Sequence, residues 1–129
     1  MSALLINFSG HLLNKIARSQ LLNVYSEIID SKPVDLVFDG SIEDQIREIV
    51  AKLPVDIDGS SSVSIIPPGQ ATFAVLLVSY LHGLMGHFPN LCYLELASDG
   101  LYLPKMEYSI QTQRIRSAGR KFRMSNYKE

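Results

Sequence analysis

The sequence predicts an α/β domain in which a mostly parallel sheet is covered by helices on both faces. Short apolar segments alternate along the chain with segments whose apolar residues recur at helical spacing. Strands that alternate with helices are typical of parallel sheets, because each crossover returns the chain to the same end of the sheet. Late in the chain, two apolar segments around a turn predict a β-hairpin. The order β-α-β-α-β-α-β-β-α therefore predicts a small Rossmann-like three-layer sandwich, with the hairpin as an antiparallel edge.

Length and composition fit a single folded domain spanning residues 1–129. Apolar residues make up 47% and charged residues 19%, which is typical of a soluble globular protein rather than a disordered one. Cys92 is the one cysteine, so an internal disulfide is excluded and a cytoplasmic location is expected. The start has no signal-peptide pattern, and the apolar run at 71–86 is too short and too interrupted to span a bilayer.

The first half of the chain contains alternating strand and helix signals. The predicted elements are a strand at 3–8, a helix at 12–22, β structure at 25–38 and a helix at 42–53. The first helix is expected to bury Leu12, Leu13 and Ile16. Pro33 predicts an edge strand or a break, because it cannot donate a ladder hydrogen bond. Ser41 is the expected N-cap of the second helix, with Asp44 in place of the usual Glu.

The second half contains a long apolar helix and the hairpin. The predicted elements are a loop at 54–62, strands at 63–66, 91–97 and 103–110, a turn at 98–100, and helices at 71–84 and 112–122. The helix at 71–84 is apolar nearly all round, which predicts a central position. Asp56 and Asp58 share a loop, but the later ligands of a calcium loop are missing, so no metal site is predicted. Cys92 lies in a predicted core strand, which argues against a nucleophile.

Two loops are candidate ligand-binding segments, because ligands of parallel α/β sheets bind outside the carboxyl ends of the strands, where the chain order reverses. The first loop follows the first strand and comprises Asn7, Phe8, Ser9, Gly10 and His11. The second loop follows the third strand and contributes Pro68, Gly69, Gln70 and Thr72.

The second loop, 67–72, has features that suit a phosphate or a ribose oxygen. Tandem prolines stiffen it, and Gly69 allows close approach of the backbone. The backbone N–H groups that follow lie at the positive end of the predicted helix. The alternative is that the prolines only end the strand and start the helix. The chain contains neither GxGxxG nor GxxxxGK[ST], so a standard dinucleotide or P-loop site is not expected.

The histidines differ in what they predict. His11 lies in the first loop beside Ser9, where it is a candidate phosphate donor or general acid; the alternative is a role in starting the helix. His82 and His87 are five residues apart, which is not the spacing of a metal pair on a helix face, so structural roles are expected.

Charge is concentrated in the last helix and tail, 112–129, although the formal net charge is only −1. Half of the twelve Lys and Arg residues lie there: Arg114, Arg116, Arg120, Lys121, Arg123 and Lys128. This asymmetry indicates an anionic partner, and the alternative is a solubilising surface helix.

Three stretches of the sequence resemble one small protein family. They are INFSGH after the start, the Pro-Pro-Gly loop before the long apolar helix, and LHGLMGHFPNLCYLEL. Together they are similar to the CRISPR-associated Csx proteins of type III systems, in the group that handles cyclic oligoadenylates. The likeness covers most of the chain, with the elements in the same order.

The resemblance implies a function in type III CRISPR antiviral defence. Relatives in this functional neighbourhood have a Rossmann-like, CARF-like fold, usually act as homodimers and bind the second messenger cyclic tetra-adenylate across the two-fold axis, so a homodimer or higher homo-oligomer is expected. Some cleave it without metal, by attack of a ribose 2′-hydroxyl on the adjacent phosphate, and others only hold it. No cofactor, membrane or DNA partner is implied. The implied binding residues are those of the two loops. Because phosphates favour arginines, Arg114, Arg116 and Arg120 are further candidates, close to the site or on a neighbouring copy.

The sequence offers few residues that could catalyse cleavage of the ligand, which favours binding without catalysis. Metal-free cleavage needs positioning, donors on the phosphate and an acid for the leaving oxygen. His11 and Lys15 are the plausible acids, and a ring nuclease would use His11 with Ser9. The expected function is therefore sequestration of cyclic tetra-adenylate, which damps the downstream effector. A slow ring nuclease is the first alternative, and an RNA- or protein-binding module that uses the basic tail is the second.

Overall fold

A computed structural model describes residues 3–97, 100–104 and 109–126. The strands are β1 Ala3–Asn7, β2 Glu27–Asp30, β3 Ser62–Ile66, β4 Asn90–Leu91, β5 Leu94–Leu96 and β6 Tyr102–Pro104. The helices are α1 Lys15–Leu21, α2 Ile42–Ala51, α3 Ala71–Met85 and α4 Thr112–Asn126. Parts of the predicted turn at 98–100, of the second hairpin strand at 103–110 and of the basic tail lie outside the described residues.

The predicted α/β class with a parallel sheet is confirmed. The main sheet has the order β2-β1-β3-β4, and each neighbouring pair is parallel. Side chains alternate between its faces, so Leu4 and Ile6 pack against α2 and α3, whereas Leu5 packs with Leu21 of α1 and with Tyr25. Helices therefore cover both faces, an arrangement compatible with a Rossmann-like sandwich.

The hairpin strands themselves form a separate sheet and do not extend the main one, contrary to the prediction. An antiparallel contact at the sheet edge is nevertheless present, because Ile110, at the end of the predicted second strand, bridges to Leu91 of β4. The predicted strand at 91–97 is divided into β4, which pairs with β3, and β5, which pairs with β6 in a separate antiparallel sheet. The amide of Cys92 still donates to the carbonyl of Ile65 at 2.8 Å, and the chain leaves the main sheet directly afterwards. An apolar run specifies an extended chain but not its partner.

The first helix begins later than predicted and buries a different face. Asn14 is the N-cap, and its Oδ1 accepts from the amide of Ala17 at 2.9 Å. Leu12 consequently lies outside α1 and is 84% exposed, and the buried residues of the helix are Ala17 and Leu21. The expected face was wrong for Leu12 and Ile16, which are exposed, because a cap at Asn14 sets the start of the helix. Leu13 precedes the helix and packs partly buried against the core.

The segment after β2 is not a strand. The structure ends β2 at Asp30, on the edge of the sheet, and residues 31–38 follow as irregular backbone that includes Pro33. Next along the chain, Ser41 caps α2 as expected, accepting at Oγ from the amide of Asp44 at 3.4 Å.

The long apolar helix α3 is not enclosed on all sides. Its buried residues are Phe73, Leu77, Leu81 and Met85, which form a single stripe. Val75 on another face is 66% exposed. The prediction of a central helix was wrong because composition does not specify how many layers cover a helix. The helix ends at Gly86, whose φ of +82° is the left-handed cap conformation.

We predict that Gly59→Ala destabilises the protein by more than about 2 kcal/mol. Gly59 has a φ of +87°, and a Cβ there would lie 2.6 Å from the carbonyl oxygen of Met85 at the end of α3. Gly83→Ala is the matched control, because nothing lies within 4 Å of its added Cβ and an exposed helical Ala gains about 0.5–1 kcal/mol over Gly. Urea unfolding followed by circular dichroism measures both, and equal midpoints would contradict the prediction.

Candidate functional site

The two predicted loops meet at the point where the chain order of the sheet reverses. From β1 the chain crosses to β2 on one side, and from β3 it crosses to β4 on the other. β1 and β3 are neighbours, and the amide of Phe8 donates to the carbonyl of Ile66 at 2.9 Å, just past the ends of both strands. The loops that follow these strands therefore flank the position at which such sheets bind ligands.

The side chain of Asn7 holds the first loop in place. Asn7 is 2% exposed. Its Nδ2 donates to Oδ1 of Asp30 at 2.9 Å and to the carbonyl of His11 at 2.7 Å. Its Oδ1 accepts from the amide of Ser9 at 3.0 Å and from the Ser9 hydroxyl at 2.6 Å. These contacts use the full hydrogen-bonding capacity of the amide, so Asn7 positions the loop and offers no free group to a ligand.

The Asn7 network extends to the end of β2 and to α1. The second carboxylate oxygen of Asp30 accepts from the Arg18 guanidinium at 2.6 Å, and both side chains are about one-third exposed or less. At the turn of the loop, Gly10 has a φ of +81° and lies against Pro33. A Cβ added at Gly10 would lie 3.5 Å from the Cβ of Pro33. The first loop is thus fixed from β2, α1 and the segment after β2.

The second loop is shaped by Gln70, which is the N-cap of α3. Its Oε1 accepts from the amide of Phe73 at 2.6 Å, so the carbonyl half of the side chain is occupied and its NH₂ group is the part suited to a ligand. The amides of Ala71 and Thr72 lie in the first helical turn, where no intrahelical acceptor is in reach.

Two clefts flank a shared ridge that we define as Ser9, His11, Pro68 and Gly69. The small cleft, of about 350 Å³, is lined by the ridge and by Phe8, Gly10, Pro33, Val34, Asp35, Leu36, Phe38, Gln70 and Phe73. The large cleft, of about 810 Å³, is lined by the ridge and by Leu12, Leu13, Asn14, Ile66, Pro67, Cys92, Tyr93, Leu94, Gly100, Leu101 and Tyr102. Residues from both predicted loops therefore line both clefts.

Some predicted site residues lie elsewhere. Thr72 lines neither cleft, and Arg114 and Arg116 lie on α4, which buries none of its described residues and also lines neither. Phe8 lines the small cleft but is only 6% exposed and packs in the core, so it cannot stack on a base. Tyr80 of α3 packs against the same core.

The large cleft has an aromatic rim that the sequence analysis missed. Tyr93 and Tyr102 line it and are 54% and 56% exposed. Asn14 joins its two walls, because its Nδ2 donates to the carbonyl of Tyr102 at 2.8 Å while its Oδ1 caps α1. Tyr93 follows β4 as the first loop follows β1, so the rule for carboxyl ends of strands identifies it once β4 is known to end at Leu91.

The described lining of both clefts is nearly free of charge. Among the residues that the structure describes, no Asp, Glu, Lys or Arg lines the large cleft, and Asp35 is the one such residue lining the small cleft. Their polar groups are chiefly amides, hydroxyls and the exposed imidazole of His11. Such clefts suit a flat, largely apolar group with a few hydrogen-bonding atoms.

The geometry of Ser9 and His11 does not form a nucleophile–base pair. The Ser9 hydroxyl donates to Asn7, and its contacts with His11, at 3.2 and 3.3 Å, are to the main-chain N–H and carbonyl rather than to the imidazole. A general base must lie within hydrogen-bond reach of the hydroxyl that it activates. In this arrangement Ser9 shapes the loop, and the ring of His11 is left for an occupant of the clefts.

Other candidate groups have structural surroundings. Cys92 is 1% exposed, and burial raises the pKa of its thiol to about 11, which disfavours the reactive thiolate. The ring of His82 packs against Phe88 with a centroid distance of 4.2 Å. Hydrogen bonds from the hydroxyl and the amide of Ser60 lower the pKa of Asp58. The Asp58 carboxylate therefore has its partner two residues away, within the loop at 54–62.

Metal and membrane sites were searched within residues 3–97, 100–104 and 109–126. No three His, Cys, Asp or Glu side chains of these ranges come together in a group that could hold a metal ion. Over the same ranges no helix combines the length and the apolar character needed to cross a bilayer. Comparisons with protein-family models, curated proteins and solved structures gave no match.

We predict that Asn7→Asp destabilises the fold by about 2–4 kcal/mol, because a carboxylate cannot donate to His11 and would face the carboxylate of Asp30 in a buried position. Asn23→Asp, at an exposed position, is the control and is expected to change stability by less than about 0.5 kcal/mol. Chemical denaturation at neutral pH provides the comparison. If both variants unfold at the midpoint of the parent protein, the Asn7 network does not support the fold.

We also predict that burial of Cys92 gives the stability a pH dependence in mild alkali. The thiol titrates near its ordinary pKa of 9.0 in the unfolded chain and at about 11 in the folded one. Between these values the folded state holds more protons, so stability is complete below about pH 9 and falls as the pH rises toward 11, by up to about 1.4 kcal/mol per pH unit. Urea midpoints across this range should fall more steeply for the parent protein than for Cys92→Ala. Parallel profiles would show that Cys92 is not the cause.

Proposed function

We propose that this protein binds cyclic tetra-adenylate at the ridge and its two clefts and sequesters it without cleaving it, as a CARF-like member of the Csx group in type III CRISPR defence. The observation that carries the proposal is the shared ridge. The two loops singled out by the family resemblance, after β1 and after β3, meet there with Ser9 and His11 on one side and Pro68 and Gly69 on the other.

The clefts suit the bases of such a ligand. Adenine is flat and carries a few hydrogen-bonding atoms, which matches clefts whose described lining is mostly uncharged, with Leu and Pro in both and Tyr in the large one. In the large cleft, Tyr93 and Tyr102 present half-exposed rings on which a base can stack. One copy has two clefts beside one ridge. A two-fold pair of copies would offer four recesses to a two-fold symmetric ring with four bases.

The ridge suits the phosphates. Gly69 is exposed, and nothing lies within 4 Å of where its Cβ would be, so a ligand can approach the backbone there. The first-turn amides of α3 follow Gln70 and place partial positive charge on that side of the ridge. His11 supplies an exposed imidazole on the other side.

Sequestration is favoured over cleavage by the same contacts. The Ser9 hydroxyl is engaged by Asn7, and no Lys or Arg lines either cleft among the described residues to stabilise a developing charge. A ligand ring held by its bases in separate recesses is also hindered from aligning a 2′-hydroxyl with its phosphate.

The deciding experiment mixes the purified protein with labelled cyclic tetra-adenylate in EDTA and follows both mobility and product. We expect a stoichiometric complex from which the ligand is recovered intact. Linear products would instead establish a metal-independent ring nuclease, and His11→Ala and Ser9→Ala should then lose turnover while binding is kept. If the ligand neither shifts nor changes, the proposal is wrong.

We predict that Tyr93→Ala weakens binding of cyclic tetra-adenylate by about 5- to 150-fold, the equivalent of about 1–3 kcal/mol for one stacked base. Tyr93→Phe keeps the ring and should bind within about twofold of the parent protein. Calorimetric titration gives both constants. Equal losses for the two variants would point to the hydroxyl, and no loss for either would remove Tyr93 from the site.

A further inference from the structure

Helix α4 exposes an apolar stripe between two basic flanks. Ile115, Ala118, Gly119 and Phe122 recur at the spacing of one helix face. Ile115 and Phe122 are 59% and 54% exposed, and no described residue of the helix is buried. By helical geometry, one flank carries Arg116, Arg120 and Arg123 and the other carries Arg114 and Lys121. A helix of this kind suits an apolar surface with an acidic border.

The same chain has such a surface in segment 33–39, which we call the acidic patch. Val34, Val37 and Phe38 are 45%, 57% and 48% exposed. Asp35 and Asp39 alternate with them in the sequence, and α2 follows with further acids, Glu43, Asp44 and Glu48.

The acidic patch has a defined backbone. The Gln45 side chain of α2 accepts from the amide of Val37 at 2.8 Å and donates to its carbonyl at 2.8 Å. The two hydrogen bonds hold the centre of the patch against α2. A preorganised surface loses less conformational entropy when a partner docks.

The charges of the two surfaces are opposite in sign, and the acids of the patch are reinforced by those of the neighbouring helix α2. α4 carries five basic residues and no acidic one, a formal charge of +5. Residues 33–48 carry five acidic residues and Arg47, a formal charge of 5 − 1 = 4 negative units. Complementary potentials of this kind steer association and fix its register.

The two surfaces lie at opposite edges of the fold within one chain. The start of α4 is held beside β4, because the Thr112 hydroxyl donates to the carbonyl of Pro89 at 3.0 Å and Ile110 bridges to Leu91. The acidic patch follows β2, at the other end of the sheet order. Since the stripe of α4 stays exposed in the single chain, a second copy is the source of a matching surface.

We propose that α4 of each copy docks its apolar stripe on the acidic patch of a second copy, in a closed dimer that uses this contact twice. The inference does not rest on the proposed ligand. It has a consequence for the clefts, because Val34, Asp35 and Phe38 also line the small cleft. Docking would bring the basic flanks of the second copy's helix beside a cleft whose own described lining has no Lys or Arg.

The test is the molar mass of the ligand-free protein, measured by sedimentation and light scattering over a range of concentrations. We expect twice the 14.4 kDa chain mass, with dissociation favoured by salt. Ile115→Ser with Phe122→Ser should weaken the dimer by more than about tenfold. Met124→Ser is the matched control, because Met124 is 72% exposed on the opposite side of the same helix and should leave the dimer intact. Circular dichroism confirms folding of each variant.

Mixing two variants identifies the partner surface. Val37→Ser with Phe38→Ser removes two of the three exposed apolar side chains of the acidic patch, and this protein alone should also be monomeric. Mixed with the α4 variant, it should form a heterodimer, because one intact helix then meets one intact patch. A monomeric parent protein, a dimer that survives the α4 substitutions, or a mixture that stays monomeric would each overturn the proposal. So would a monomer whose α4 instead binds phosphatidylserine vesicles or RNA.

Discussion

The buried amide of Asn7 is the interaction on which the geometry of this site depends. It joins the carboxyl ends of β1 and β2 and fixes both ends of the turn that carries Ser9 and His11. In a low-dielectric position each of these hydrogen bonds is strong, and each would be costly to leave unmade. The ridge therefore has one position relative to the sheet, and the two clefts inherit their shapes from it. Asn7 contributes to the site by positioning the loop of Ser9 and His11, and it has no free hydrogen-bonding group for a ligand.

Most of the charge of this protein lies outside the described lining of the two clefts. Asp35, in the segment after β2, is the one Asp, Glu, Lys or Arg in that lining, and the basic residues of α4 line neither cleft. A cleft with little charge recognises a ligand by its shape, aromatic surface and hydrogen-bonding pattern. Long-range attraction of a charged ligand then depends on charges elsewhere on the protein. The chain also has surfaces of opposite sign at its two edges, the acidic patch after β2 and the basic helix α4.

The fold was predictable from sequence where the signals are local. β1, α2 and α3 were identified within a few residues, because apolar periodicity and the Ser41 cap specify them without reference to distant residues. Properties set by tertiary partners were not predictable. The pattern of residues 91–97 fits one continuous strand as well as it fits two short strands in different sheets. The exposed side of α3 is as apolar in composition as a buried side would be. The ridge loops followed from a topological rule. Tyr93 was missed because the predicted strand at 91–97 included it, whereas β4 ends at Leu91. Arg114 and Arg116 were chosen by charge, which carries no information on position.

The bifunctional side chain of Asn14 links the hairpin to the helix that supports the sheet. Its oxygen starts α1 and its nitrogen secures the main chain of Tyr102 across the large cleft. The same helix carries Arg18, whose guanidinium forms an ion pair with Asp30, and Asp30 in turn accepts a hydrogen bond from the Asn7 side-chain amide. The hairpin is thus joined to the turn of Ser9 and His11 by two routes. One is the short main-chain segment from His11 to Asn14, and the other is the series of side-chain contacts from Arg18 through Asp30 to Asn7. The wall of the large cleft and the ridge that it shares with the small cleft are therefore built on the same support.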